Sequence, residues 1–143
     1  MSENIGSSVL QLDRMAFKEV HYTRSLEEPA KETEYEMNFN REVVAHEDNS
    51  HFMVSLTANV WSKGEPSTKL RVTLTGFFRC ECEDETIKQE LVRYNTLAIL
   101  FPYLRSQICL ITVQPDIPPI TFPPVNIVAL FKDVDNRESQ QNK

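Results

Sequence analysis

Ile99–Arg105 (ILFPYLR) and Pro123–Phe131 (PPVNIVALF) bracket a proline-rich loop, and the fold turns on how these two runs are read. Around the first, Leu97, Leu100, Phe101, Leu104, Ile108 and Ile111 recur at i, i+3, i+4 and i+7, one face of an α-helix. Pro102 stands inside that stripe, where it lacks an N–H and crowds the preceding turn. The regular helix is therefore expected to begin near Pro102. Cys109 and Leu110 add apolar surface off the stripe. A helix apolar around that much of its girth needs cover on two sides. The rest of the chain supplies one cover and a second copy the other, so Leu104, Ile108, Cys109, Leu110 and Ile111 are the candidate subunit interface. Pro115, Pro118, Pro119, Pro123 and Pro124 enforce extended backbone. Ile117, Ile120 and Phe122 ride on that loop and need cover, from their own core or from a bound polypeptide. Val125–Phe131 suits a short closing helix, and the polar 133–143 tail is expected to fray.

Upstream the period is that of β-structure. In Val9–Tyr22, Leu10 and Leu12 share a face, then Met15 and Phe17, then Val20 and Tyr22. Two switches of parity predict a long strand with bulges. A polar connector, Ser25–Lys31 (SLEEPAK), follows. Tyr35, Met37 and Phe39 alternate with Glu36 and Asn38 in a half-buried strand that continues through Val43 and Val44. After the turn cluster Glu47–Ser50, Phe52, Val54, Leu56, Ala58 and Val60 alternate with smaller or polar residues. Lys63–Ser67 (KGEPS) breaks the chain, and Leu70, Val72, Leu74, Gly76 and Phe78 mark a fourth strand. Asp84–Tyr94 returns to helical spacing, with Thr86 and Gln89 placed as a capping box. Four strands followed by helices predict α+β: an antiparallel sheet with a long helix and a short C-terminal helix packed on one side. One domain spans 1–143, folded over 8–132.

Composition bounds the function. Hydrophobic residues make up 41% and charged ones 25%, ordinary for a globular chain. The net charge of −6 with scattered Lys and Arg argues against nucleic acid as a partner. Met1–Ser8 has neither a basic nor an apolar leader region, and no apolar run is long enough to span a bilayer, so a cytoplasmic location without membrane insertion is expected. Cys80, Cys82 and Cys109 read as reduced thiols. Cys80 and Cys82 share a strand face, but His21, His46 and His51 lie in other segments, so no metal is expected. No nucleophile–base pair or glycine-rich phosphate loop is visible, which speaks against an enzyme and against a cofactor.

The run from Ile99 to Phe131 resembles the SecB family of bacterial export chaperones. The likeness lies in ILFPY and Arg105, Pro118, and Pro124, Val125, Asn126, Ala129, Leu130 and Phe131. LQLDRMAFKEV and VSLTANV resemble its first and third strands. The resemblance implies a SecB-like sheet-and-helix fold assembling as a homodimer or homotetramer. It implies an ATP-independent holdase that binds unfolded preproteins for Sec-dependent export, with SecA as a partner. SecB-like chaperones that protect antitoxins supply the alternative, an adaptor dedicated to one partner. Tyr35, Met37 and Phe39 match apolar positions that line the family's client groove, though core beneath the helix explains them equally. Together with Ile117, Ile120 and Phe122 they are the candidate client-binding residues. Glu19 matches an acidic SecA-docking position. Thr23 and Arg71 stand where the pattern supplies acids, and Lys69 where it supplies an apolar residue. Glu19, Lys69 and Arg71 are thus the candidate docking residues, with SecA expected to bind weakly.

Overall fold

The computed structural model describes residues 9–28, 33–64 and 67–141. Met1–Ser8, Pro29–Lys31 of the connector, Glu65–Pro66 of the break and the last two residues of the tail lie outside them. Strands β1 (Val9–Arg24), β2 (Tyr35–Ala45), β3 (His51–Ser62) and β4 (Thr68–Glu81) form one antiparallel sheet in the order β1-β4-β3-β2. Helices α1 (Glu85–Glu90), α2 (Thr96–Ile111) and α3 (Ile127–Gln141) follow, with a π-helical turn at Leu91–Asn95 joining the first two. The architecture is α+β.

The register explains the alternation. On the helix-facing side Phe52, Val54, Leu56, Ala58 and Val60 of β3 lie beside Leu70, Val72, Leu74, Phe78 and Cys80 of β4, all buried. β1 breaks step with β4 between Leu12 and Arg14 and again between Phe17 and Glu19. Each break inserts one unpaired residue, Asp13 or Lys18, and restores the apolar side chains to the same face. The parity switches in the sequence are these two bulges. At the β2–β3 turn Asn49 takes the left-handed conformation, with φ of 55°. Asp48 Oδ1 there accepts from the Ser50 and His51 amides at 2.9 and 3.0 Å, and these bonds with the neighbouring His51 ring hold its carboxyl far below the usual range.

Helix α2 begins at Thr96 and carries Pro102 in its interior, not near its start as the proline rule suggested. The pyrrolidine ring faces solvent. Leu97, Leu100, Phe101, Leu104 and Ile108 are all buried against the sheet. Burying each contributes roughly 1.5–3 kcal/mol, which together outweighs the ~3 kcal/mol cost of one internal proline. The helix crosses the sheet at Gly76, where an added Cβ would fall 2.5 Å from Phe78 Cε2 and 2.9 Å from Leu100 Cδ2. Asp84, not a Thr86–Gln89 box, caps α1. Its Oδ1 accepts from the Thr86 and Ile87 amides at 2.9 and 3.2 Å, and Gln89 bonds Glu85 instead.

The polar tail does not fray at 132: α3 continues to Gln141. Asp135 is the reason. Its carboxylate accepts from Arg41 Nη2 at 2.8 and 3.1 Å, Arg93 Nη2 at 3.1 Å and the Tyr94 hydroxyl at 2.6 Å. Arg41 comes from the helix-facing side of β2 and lies over the Phe131 ring at 5.0 Å, so a cation from the sheet threads between helices. Burial would raise the Asp135 pKa, but the three donors outweigh it and hold the carboxyl below its ordinary value. Lys132 adds a surface pair with Glu90 at 2.6 Å.

Candidate functional site

Three aromatic rings from distant segments meet beside the β2 edge. Phe39 of β2 sets its edge against Phe101 of α2, with centroids 5.7 Å apart, and against Phe122 of the proline-rich loop at 5.8 Å. Phe101 and Phe122 stack at 6.3 Å. Edge-to-face contact suits the ring quadrupole, so the cluster is favourable beyond its area. Phe101, Phe122, Pro102, Arg105, Ser106, Cys109 and Thr121 line an open cleft of about 420 Å³ between α2 and the loop. Arg105 stands at this cleft with no hydrogen-bond or ion-pair partner among the described residues.

The six candidate client residues divide. Tyr35, Met37 and Phe39 are half-buried and pack against the core along the β2 edge. Ile117, Ile120 and Phe122 are turned inward, at 8%, 5% and 4% exposure. The loop thus covers its own apolar side chains by laying an extended segment into the molecule. Two polar anchors hold it there. Arg24 of β1 pairs with both carboxylate oxygens of Asp116 at 2.5 and 3.2 Å, which raises the arginine pKa and lowers the aspartate's. Thr112 Oγ1 accepts the Ile120 amide at 2.8 Å while donating to the Ile108 carbonyl at 2.8 Å. Near the Arg24 end, the Tyr22 hydroxyl is buried without a hydrogen-bond partner among the described residues, and burial pushes its pKa up.

The candidate interface residues divide as well. Leu104 and Ile108 are fully buried within the chain and serve its own core. Cys109 and Ile111 are half-buried. Leu110 is 68% exposed, and Tyr103 and Val113 at helical spacing from it are also open. The docking candidates lie on the sheet's other face. Arg71 Nε donates to Asn59 Oδ1 at 2.9 Å and faces Glu19 at 3.6 Å, with Lys69 beside them.

Sequence reasoning placed Phe101 in the helical core stripe without its second role in the cleft, and Arg105 only among residues of resemblance. The Arg24–Asp116 and Arg41–Asp135 pairs span 92 and 94 positions, with no local pattern to announce them. Among the described residues no group of metal-ligating side chains is assembled, and no helix is long and apolar enough to cross a membrane.

The chain is 33% identical over 79 residues to an uncharacterized protein of Methanocaldococcus jannaschii; the match covers 52% of this chain and 51% of that protein, so it spans about half the relative's length. The fold superposes on the SecB-like chaperone Rv1957 of Mycobacterium tuberculosis, solved in complex with a ChAD peptide from the HigA1 antitoxin. The TM-score is 0.69 at 17% identity, covering 87% of this chain and 95% of that one. A protein of unknown function from Streptococcus agalactiae is a more distant likeness, with TM-score 0.46, 12% identity and coverage of 82% and 98%. The family model of preprotein translocase subunit SecB matches residues 10–138, nearly the whole described chain, and this protein belongs to the SecB family.

Proposed function

We propose that this protein is an ATP-independent holdase that binds unfolded polypeptide in the cleft between α2 and the proline-rich loop. Family membership supports a chaperone role. The observation that carries the finer reading is the open cleft between α2 and the loop, backed by the largely buried aromatic cluster of Phe39, Phe101 and Phe122. Half-buried Tyr35 and Met37 extend that cluster along β2. A client's large side chain buried there contributes roughly 1.5–3 kcal/mol, offset by the entropy of ordering a flexible chain. One cleft is therefore weak, and a homodimer or homotetramer built through the Leu110 face would add avidity.

The test is suppression of aggregation of a reduced, unfolded substrate. The wild type is expected to suppress it, and Tyr35→Ser with Met37→Ser, both half-buried, to weaken binding while circular dichroism and assembly size hold. Unchanged binding with an intact fold would place the site elsewhere.

The second reading is an adaptor for one partner, such as an antitoxin, in place of an export chaperone working with SecA from the cytoplasm. Positive charge at Lys69 and Arg71 favours it, because a cationic motor surface would be repelled there. A pulldown decides between them: SecA with many unrelated clients supports export, and a single recurrent client the adaptor.

A further inference from the structure

The cleft between α2 and the proline-rich loop carries charge as well as apolar surface. Phe101, Arg105 and Cys109 follow one another at single-turn spacing along α2 and share the side that lines it. Ser106 and Thr121 add hydroxyls from the helix and from the loop. Arg105 is exposed and is the one charged residue among those lining the cleft; no carboxylate lines it. Cations of the surrounding elements are engaged elsewhere: Arg41 of β2 meets Asp135, and Arg24 of β1 holds Asp116 of the loop. The side chains of Arg105, Ser106 and Thr121 have no partner among the described residues. In a chain of net charge −6, an unanswered guanidinium thus stands beside aromatic surface.

We propose, on the client-binding reading of this cleft, that Arg105 makes it select segments with an Asp or Glu two residues from a large apolar side chain. The spacing follows from two repeats. Positions 101 and 105 lie about 6 Å apart along the helix axis, at ~1.5 Å per residue. Alternate side chains of an extended polypeptide fall on one side, about 6.6 Å apart. A client strand running along α2 therefore sets an apolar side chain by Phe101 and Pro102 while the carboxylate two residues on reaches Arg105. The guanidinium meets that carboxylate with paired N–H donors. The Ser106 and Thr121 hydroxyls donate to its remaining lone pairs. A client lysine at the same place meets a like charge with no acid to answer it. The pair is solvent-exposed, so its gain is modest, roughly three- to tenfold, and salt weakens it.

The probes are short, fluorophore-labelled, serine-rich peptides carrying phenylalanine and isoleucine, with Glu, Gln or Lys two residues from the phenylalanine. Each is titrated with the full chain and read by fluorescence anisotropy. At low salt the glutamate peptide is expected to bind roughly three- to tenfold tighter than the glutamine one, and the lysine peptide more weakly than either. Moving the glutamate next to the phenylalanine turns it to the other side of the strand and should lose the gain. Arg105→Gln should bring the three affinities together, and Arg105→Glu should reverse their order, with circular dichroism unchanged. A glutamate preference that survives Arg105→Gln would overturn the proposal, as would a loss of all three probes alike in that variant. Equal affinities in the wild type, with binding that still falls in the Tyr35→Ser, Met37→Ser protein, would sink the selectivity and leave the cleft as the client site. No binding of any probe to the wild type would overturn both.

Discussion

Replacing Asp135 by Asn tests what holds the C-terminal helix. The substitution keeps the shape and removes the charge that Arg41, Arg93 and Tyr94 share. The Arg41 and Asp135 side chains are only 10% and 14% exposed, so solvent compensates little. Removing one partner of a buried pair costs about 3–5 kcal/mol. Arg41 keeps a bond to the Arg93 carbonyl at 3.3 Å and its contact with the Phe131 ring, which places the expectation near the lower end, about 3 kcal/mol. That is roughly a hundredfold in the folding equilibrium. Urea unfolding at neutral pH, followed by Trp61 emission and by helical circular dichroism, measures it. The sign with pH follows from the lowered folded-state pKa of Asp135. Its contribution is complete above the unfolded value near pH 4 and is lost as pH falls through the folded value, so the wild type should lose more stability than the variant on acidification. A loss under about 0.5 kcal/mol, with helix content intact, would show that the hub does not secure α3.

Three further outcomes follow from the packing. Gly76→Ala should cost about 1–3 kcal/mol by overpacking against Phe78 and Leu100, read in a thermal melt, and an unshifted midpoint would mean the helix crosses elsewhere. Asp116→Ala should leave the melting midpoint nearly unchanged, because Asp116 is 54% exposed, yet speed proteolysis of the 112–126 loop. Leu110→Glu should reduce assembly size in light scattering without unfolding the chain, whereas Ile108→Glu should unfold it.

The four strands were legible because each half-buried strand alternates, and even the bulges of β1 showed as parity switches at the right places. Helix α2 was legible in its stripe but not in its start. Pro102 signals a boundary locally, and only the burial of Leu97, Leu100 and Phe101 beneath it overrides that signal. The length of α3 was hidden for a related reason. Its last turns are polar, and they are held by Asp135 reaching partners 41 to 94 positions away. At the candidate site, Phe39 and Phe122 were both singled out, but two covers remained open for each. Apolar patterning says that a side chain needs cover; it does not say which element provides it.

The bulged strand has a consequence for how this chain changes over generations. β1 is three tracts, each in phase with β4 and separated by single spare residues, Asp13 and Lys18. Losing a spare residue alone would invert everything on its N-terminal side, presenting Leu10 and Leu12 to the wrong face. Losing both restores the phase of the first tract but inverts the middle one, Met15 and Phe17. Length changes here are therefore tolerated when a strand end is sacrificed, or when the alternation of the displaced tract changes with them. A gene lineage that drops one spare residue must reinvent the alternation of the tract before it. Comparisons of kindred sequences across β1 should accordingly slip by one residue at these two points, while β3 and β4 align without gaps.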